Sequence, residues 1–486
     1  MRVLKSAGLV CLLGLSFVDS SFAATRYVNA TNPAPVAPYT NWATASTNIQ
    51  TAINAAASGD EILVAPGVYR IAASVSMPAG KTLTLRSTQS RAATIDAQRL
   101  CEGVLINSTN SVVEGFTVRN GISASYGGGF YLANACTVRD CLVTSNQSWG
   151  AGGVFLNADG AVVENCTIQS NLATYWGGGV VLYNGFGGLV DNCIISDNIS
   201  SNYAGGIAFQ GGGTASNCWI ADNRALVESG GGASMEQGGT LVNSVVVGNV
   251  ARQDGGGVYN FEGKVMHCTV VSNTAGRYGG GIRASYSTNW NSIMYFNTAP
   301  TNTDVWLQDS VFENCCVSTN LGGANFTNAP AFASFAGRDF RLAAGSSCID
   351  AGVSGLAVTS DYAGNPRPAP GVAGGAALFD VGAFEYQIPV EVCDGIDNDG
   401  DSQVDEDCRS SSSYFSINQA VRCTSAGWSR TFAMDLTNFR NIAVQDGYQS
   451  YTVSYALFYN IWTGLYLFDY DAGAFTALTW LTNLDL

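Results

Sequence analysis

The densest chemistry in the chain lies at Cys393-Asp394-Gly395-Ile396-Asp397-Asn398-Asp399-Gly400-Asp401-Ser402-Gln403-Val404-Asp405-Glu406-Asp407-Cys408. Asp397, Asp399 and Asp401 stand at alternate positions, so a tight loop gathers their carboxylates. Gln403 adds a backbone carbonyl, and Asp405 or Glu406 a further carboxylate. Like charges at this density repel unless a hard cation neutralises them. Ca²⁺ is therefore the expected ion, with another divalent metal as the alternative. Cys393 and Cys408 bracket the loop and could close it as a disulfide. The bland alternative is an acidic, solvated linker.

A second constellation combines Arg277 and Arg283, on either side of Gly281, with Asp254 and Glu228 one or two repeats earlier. A base and a cation so placed would suit a polysaccharide lyase, which removes a proton beside a sugar carboxylate and stabilises the enolate. Scattered surface charge gives the same pattern and is the expected reading. Tyr126, Trp149, Tyr175 with Trp176, Tyr203 and Tyr278 stand just before glycine triplets. Rings in that phase would form a track on which sugar rings stack, or would shield the corner glycines from water. His267, the lone histidine, takes a slot filled elsewhere by Asn165, Asn192, Asn217 and Asn243, so it reads as a ladder residue.

These residues depend on a repeat running from Tyr126 to Asn297. A glycine triplet or its remnant ends at Gly129, Gly153, Gly179, Gly206, Gly232, Gly257 and Gly281. A small residue follows at Cys141, Cys166, Cys193, Cys218, Ser244, Cys268 and Ser292. An asparagine follows that, at Asn146, Asn171, Asn198, Asn223, Asn249, Asn273 and Asn297. The marks stay in phase at a period of about 25 residues, which signals a solenoid. Within each period apolar residues alternate, as in Val154-Phe155-Leu156, so the elements are strands. Successive coils then stack about 4.8 Å apart as parallel sheets. The ladder cysteines would lie at that spacing, which is too wide for an unstrained disulfide, so they read as small buried apolar residues.

The rest of the 486-residue chain fits an exported β-protein. It is 47% hydrophobic and 12% charged with a net charge of −15, which argues against nucleic-acid and anionic-membrane partners. Residues 1–24 read as a signal peptide: basic Arg2 and Lys5, an apolar run from Ala7 to Val18, and Ser21-Phe22-Ala23 for cleavage. No stretch is apolar for long enough to span a bilayer as a helix. Thr47-Asn48-Ile49-Gln50 predicts a capping helix, with Thr47 as N-cap and Gln50 reaching back. Asp361, Arg367, Asp380 and Glu385 belong to a closing segment, where they would form ion pairs pinning an end cap. Residues 409–413 form a joint, and residues 414–486 read as a small β-rich module.

The opening phrases Tyr27-Val28-Asn29, Trp42-Ala43-Thr44, Ile49-Gln50-Thr51-Ala52-Ile53 and Gly59 to Tyr69 resemble the start of right-handed β-helix proteins of the pectate-lyase-like superfamily. Ser347 to Gly352 and Phe379-Asp380-Val381-Gly382-Ala383-Phe384-Glu385-Tyr386 resemble the end of bacterial choice-of-anchor surface proteins. The glycine and asparagine marks also resemble those of chlamydial polymorphic outer-membrane adhesins, and the acidic loop is similar to an aspartate-rich metal-binding repeat. The resemblance implies a right-handed parallel β-helix over residues 25–388 and implies export, whereas activity varies across the superfamily. No hydrolase set of Asn-Thr-Asp, Asp-Asp, Gly-His-Gly and Arg-Ile-Lys occurs. The expected protein is all-β, with an N-terminal capping helix, a Ca-type loop at 391–408 and a C-terminal β-module. Its expected role is to bind extracellular polysaccharide or a surface partner; the alternatives are a polysaccharide lyase or glycoside hydrolase, and a spacer or adhesin.

Overall fold

The computed structural model describes residues 23–183, 187–354, 358–372 and 375–389, and the backbone of four short strands between 431 and 477. Its main unit is a right-handed parallel β-helix. One coil serves as the pattern: Thr137–Arg139 lies in a first sheet, Leu142–Thr144 in a second, Gln147–Ser148 in a short third and Val154–Leu156 in a fourth. The first sheet runs to 12 strands, the second to 11, the third to seven and the fourth to ten, all parallel among the described residues. Register is exact from coil to coil, so Val138 pairs with Val163, and Val163 with Val190. Like residues therefore stack, and the inward rows form one continuous apolar core.

The polar residue before each ladder cysteine has a conformational reason. Asp140, Asn165, Asn192, Asn217, Asn243, His267 and Asn291 all have φ between 47° and 55°. This is the left-handed region, which short polar side chains enter more readily than others, and it turns the chain from first sheet to second in one residue. The ladder cysteines that follow are free thiols. Size alone does not explain them. Each thiol donates to the carbonyl two residues before it, as Cys166 Sγ does to Glu164 O at 3.2 Å, and Ser244 Oγ does the same to Val242 O at 2.8 Å.

Asparagine at the next corner forms a buried amide ladder. Asn146 Nδ2 donates to Asn171 Oδ1 at 3.0 Å, and the pattern repeats through Asn198, Asn223, Asn249, Asn273 and Asn297. From Asn171 onward each amide oxygen also accepts the backbone N–H of the previous coil's asparagine, as at Asn198 N to Asn223 Oδ1, 3.0 Å. Glycine then becomes obligatory where coils touch: a Cβ on Gly178 would stand 2.3 Å from the Gly205 carbonyl oxygen.

At the N-terminal end, helix α1 (Ile49–Ala55) buries Ile49, Ala52 and Ile53. Its N-cap is Asn48, not Thr47: Asn48 Oδ1 accepts from Thr51 N at 3.0 Å. Gln50 does not reach back. It bridges to the next coil, accepting from Ser76 N at 2.7 Å and donating to Ser76 O at 3.1 Å.

The closing segment also departs from expectation. The final coil is covered by the turn at Leu321 to Phe326, where Asn325 Oδ1 accepts from Cys315 N at 3.0 Å. Beyond it the chain folds back along the outside of the second sheet. Phe340, Leu342, Cys348, Val381 and Phe384 pack there on Val245, Val247, Val271 and Ile293. The ion pairs of this segment thus hold it to a flank of the solenoid rather than over its end. Arg367 is the centre: it donates to Asn243 Oδ1 at 2.9 Å and Gly382 O at 3.0 Å, and its Nε lies 3.4 Å from Glu385 Oε1. Reversal places outward residues of the second sheet under apolar cover, which explains why the strand Val245–Val247 is apolar on both faces, Val246 inward and Val245 and Val247 outward.

A second unit contains an antiparallel sheet of Thr431–Phe432, Tyr455–Asn460, Gly464–Asp469 and Ala474–Ala477, in sequence order.

Candidate functional site

The loops leading from the third sheet into the fourth carry the exposed aromatic residues. Main-chain bonds hold them in column: Tyr175 N donates to Trp149 O at 3.0 Å, and Tyr203 N to Tyr175 O at 2.9 Å. Tyr126, Trp149 and Tyr175 remain 36%, 39% and 37% exposed. Trp149 and Tyr175 are stacked with centroids 5.0 Å apart, and Tyr203 meets Tyr175 edge-on at 6.0 Å. Trp176 turns inward onto Trp149 at 4.8 Å.

A row of rings missed in the sequence supports this column. The middle residues of the fourth-sheet strands point outward, and among them are Tyr131 and Phe155, with Val181 next in register; Tyr183, the last residue of its strand, faces the same way. Phe155 is fully buried although it faces away from the coil, because Tyr126 lies on it at 4.6 Å and Tyr183 at 5.3 Å. The alternation that marks these strands also gives their outward positions, so the signal was present in the middle residue of each triplet. Trp149 and Tyr175 stack on each other, so each covers one face of its partner.

The same column continues into charged residues. Gln253 N donates to Glu228 O at 3.1 Å, and Arg277 N to Gln253 O at 2.9 Å. Gln253 Nε2 also donates to Glu228 Oε2 at 2.7 Å. Asp254 is buried and binds Arg277 through both oxygens, at 2.8 and 2.6 Å. That pairing holds the Arg277 guanidinium above its ordinary pKa. Arg283 Nε lies 3.7 Å from Asp254, and its guanidinium sits between the rings of Tyr259 and Trp306, 4.8 and 4.6 Å from their centroids. Tyr278 lies beside Arg277, 5.1 Å from its guanidinium carbon, and is separated from Tyr203 by the coils bearing Glu228 and Asp254. A groove of about 530 Å³ runs past Leu226, Val227, Arg252, Gln253 and Arg277.

Arg277, Arg283 and Asp254 therefore meet, with Glu228 joined to them through Gln253, but Asp254 commits both carboxylate oxygens to Arg277. His267 is fully buried, with Nε2 3.3 Å from Asn291 Nδ2, and burial followed by the Arg367 charge lowers its pKa to about 3. It is a ladder residue. Asp397, Asp399, Asp401, Gln403, Asp405, Glu406, Cys393 and Cys408 lie outside the described residues, as do residues 1–22 of the expected signal peptide. Among the described residues no cluster of three metal-ligating side chains occurs, and no helix is long and apolar enough to cross a membrane.

Comparison with known proteins agrees with this architecture. A family described as right handed beta helix region matches residues 102–275. No curated protein sequence matches the chain significantly. The solved structure of pectate lyase Pel9A superposes with a TM-score of 0.53 at 16% identity, covering 76% of this chain and 97% of that one. A rhamnogalacturonan lyase is similar at a TM-score of 0.38 and 13% identity, over 60% of this chain and 87% of its own. A PL6 family polysaccharide lyase from Pseudopedobacter saltans gives 0.24 and 14%, over 55% and 91%.

Proposed function

We propose that the protein is an exported polysaccharide-binding solenoid whose ligand lies along the rim between the third and fourth sheets. The observation that carries this reading is the column of Tyr126, Trp149 and Tyr175, one exposed ring per coil and continuous with the groove at Leu226 to Arg277. Ring edges, phenolic hydroxyls and the indole N–H offer a sugar both apolar contact and hydrogen bonds. The pectate lyase named above shares the fold, and its name is consistent with a polysaccharide partner. Retention on immobilised uronate-containing and neutral polysaccharides tests the reading. The Trp149→Ala/Tyr175→Ala double variant should lose retention while keeping its circular dichroism spectrum. Equal retention by variant and wild type would refute the assignment.

A lyase reading is favoured by one observation, the meeting of Arg277, Arg283 and Asp254 on this rim, with Glu228 bonded to the neighbouring Gln253. The bidentate Arg277–Asp254 pair weighs against it, since it leaves Asp254 without a free oxygen to accept a proton. Growth of unsaturated sugar ends on uronate polymers, abolished by Arg277→Ala, would establish the lyase instead. On sequence grounds we also propose that the loop at 393–408 holds Ca²⁺, and that the closing phrases serve a surface-anchored protein.

A further inference from the structure

Two adjacent cysteines, Cys315 just before the last second-sheet strand and Cys316 at its start, have opposite surroundings. Cys315 points into the coil, and its Sγ lies 3.3 Å from Asn289 O. Cys316, which pairs with Ile293 in the sheet, faces outward and lies under the returning segment. Its Sγ donates to Asn328 O at 3.2 Å. The same carbonyl accepts from Ser347 Oγ at 3.4 Å, which brings the residue before Cys348 to the same point. Cys348 is fully buried, fixed by Val381 N donating to its carbonyl at 2.9 Å, and it shares one apolar cluster with Cys316, both as free thiols.

We propose that Cys316 and Cys348 form a disulfide that fastens the returning segment to the outside of the second sheet. The ladder cysteines are related by one coil step in a rigid parallel stack, so their Cβ atoms stay near the coil spacing. Cys316 and Cys348 carry no such constraint, because one belongs to the solenoid and the other to a turn laid over it. The reaction is a thiol–disulfide exchange with a small-molecule or protein disulfide. One thiolate attacks that disulfide and forms a mixed disulfide, releasing a thiol. The second thiolate then displaces the remaining half, so the oxidant gains two electrons and two protons and Cys316–Cys348 loses them. The neighbouring Cys348 thiol, followed by burial, raises the Cys316 thiol far above its ordinary pKa, so exchange proceeds before the segment docks, during folding.

The test is to fold the full chain with oxidised and reduced glutathione, alkylate it, and map peptides by mass spectrometry. The expected product contains a linked Cys316–Cys348 peptide, two hydrogens lighter than its reduced parts, with Cys166, Cys193 and Cys218 alkylated only after denaturation. Its thermal midpoint should shift upward relative to the dithiothreitol-treated chain, and Cys316→Ala and Cys348→Ala should each abolish the shift. Two variants guard against one failing to fold. Recovery of both thiols as alkylated residues after oxidative folding, or of either joined to another cysteine, overturns the proposal.

Discussion

The amide ladder ends on a carboxylate: Asp304 Oδ1 accepts both Asn297 Nδ2 and Asn297 N, each at 2.8 Å. Every earlier rung must accept from the rung before it and donate to the rung after it. The last rung only accepts, so aspartate suffices there. Ser318 Oγ donates to its other oxygen.

That asymmetry predicts opposite tolerances at the two positions. Asp304→Asn keeps an acceptor oxygen and should change stability by less than about 1 kcal/mol. Asn223→Asp removes the donor to Ile195 O and Asn249 Oδ1 and places a buried charge against both. Its cost should be about 3–5 kcal/mol, read as a lower urea midpoint by circular dichroism. Equal midpoints for the two variants would contradict the directional ladder.

His267 makes stability depend on pH. Burial lowers its pKa in the folded chain to about 3, against an ordinary value of 6.5. As pH falls below 6.5 the unfolded chain takes up a proton that the folded chain refuses, so stability present at higher pH is lost toward pH 3. Asp380 and Glu385, both raised by burial beside Arg367, act in the opposite sense, and their contribution falls as pH rises. His267→Asn suits the left-handed corner that Asn243 and Asn291 already occupy. The variant should fold, and its unfolding midpoint should fall less than that of the wild type between pH 6.5 and 4.

Close packing of coils predicts a severe glycine effect. Gly178→Ala sets a Cβ 2.3 Å from Gly205 O and 2.6 Å from Ile199 O, both backbone atoms that cannot turn aside. A loss of about 1–3 kcal/mol or more is expected, measured as a lower thermal midpoint. Gly150→Ala meets nothing nearer than 3.2 Å and should be milder.

Calorimetry of the full chain with Ca²⁺ should show binding at the acidic loop. Replacing Asp397, Asp399 and Asp401 together by alanine should weaken it by more than tenfold, about 1.4 kcal/mol. Binding unchanged in the triple variant would place the ion elsewhere.

Much of the solenoid was legible because stacking repeats one environment at a fixed interval. Cys166, Asn171 and Gly179 each announce a corner or a contact, and the same marks one period later announce the next coil. The N-cap was misplaced because Thr47 and Asn48 are both good caps, and only the helix entry geometry chooses between them. Gln50 was misread because its partner, Ser76, is a neighbour in space and not in sequence. The candidate rim was legible by phase, yet the mutual stacking of Trp149 on Tyr175 was not, since side-chain orientation depends on what lies beneath: Trp176, Phe155 and Tyr183.

The sequence by itself determined the parallel coil, its register and its columns, because equal-length repeats constrain each residue to lie over its counterpart. The tertiary structure alone decided where the closing segment goes and which charges meet. Phe340, Cys348 and Phe384 lie on the second sheet, Arg367 reaches Asn243, and Asp254 turns to Arg277. These contacts join segments that share no period, so no spacing in the chain encodes them; apolar burial and ion pairing select them only once the solenoid exists.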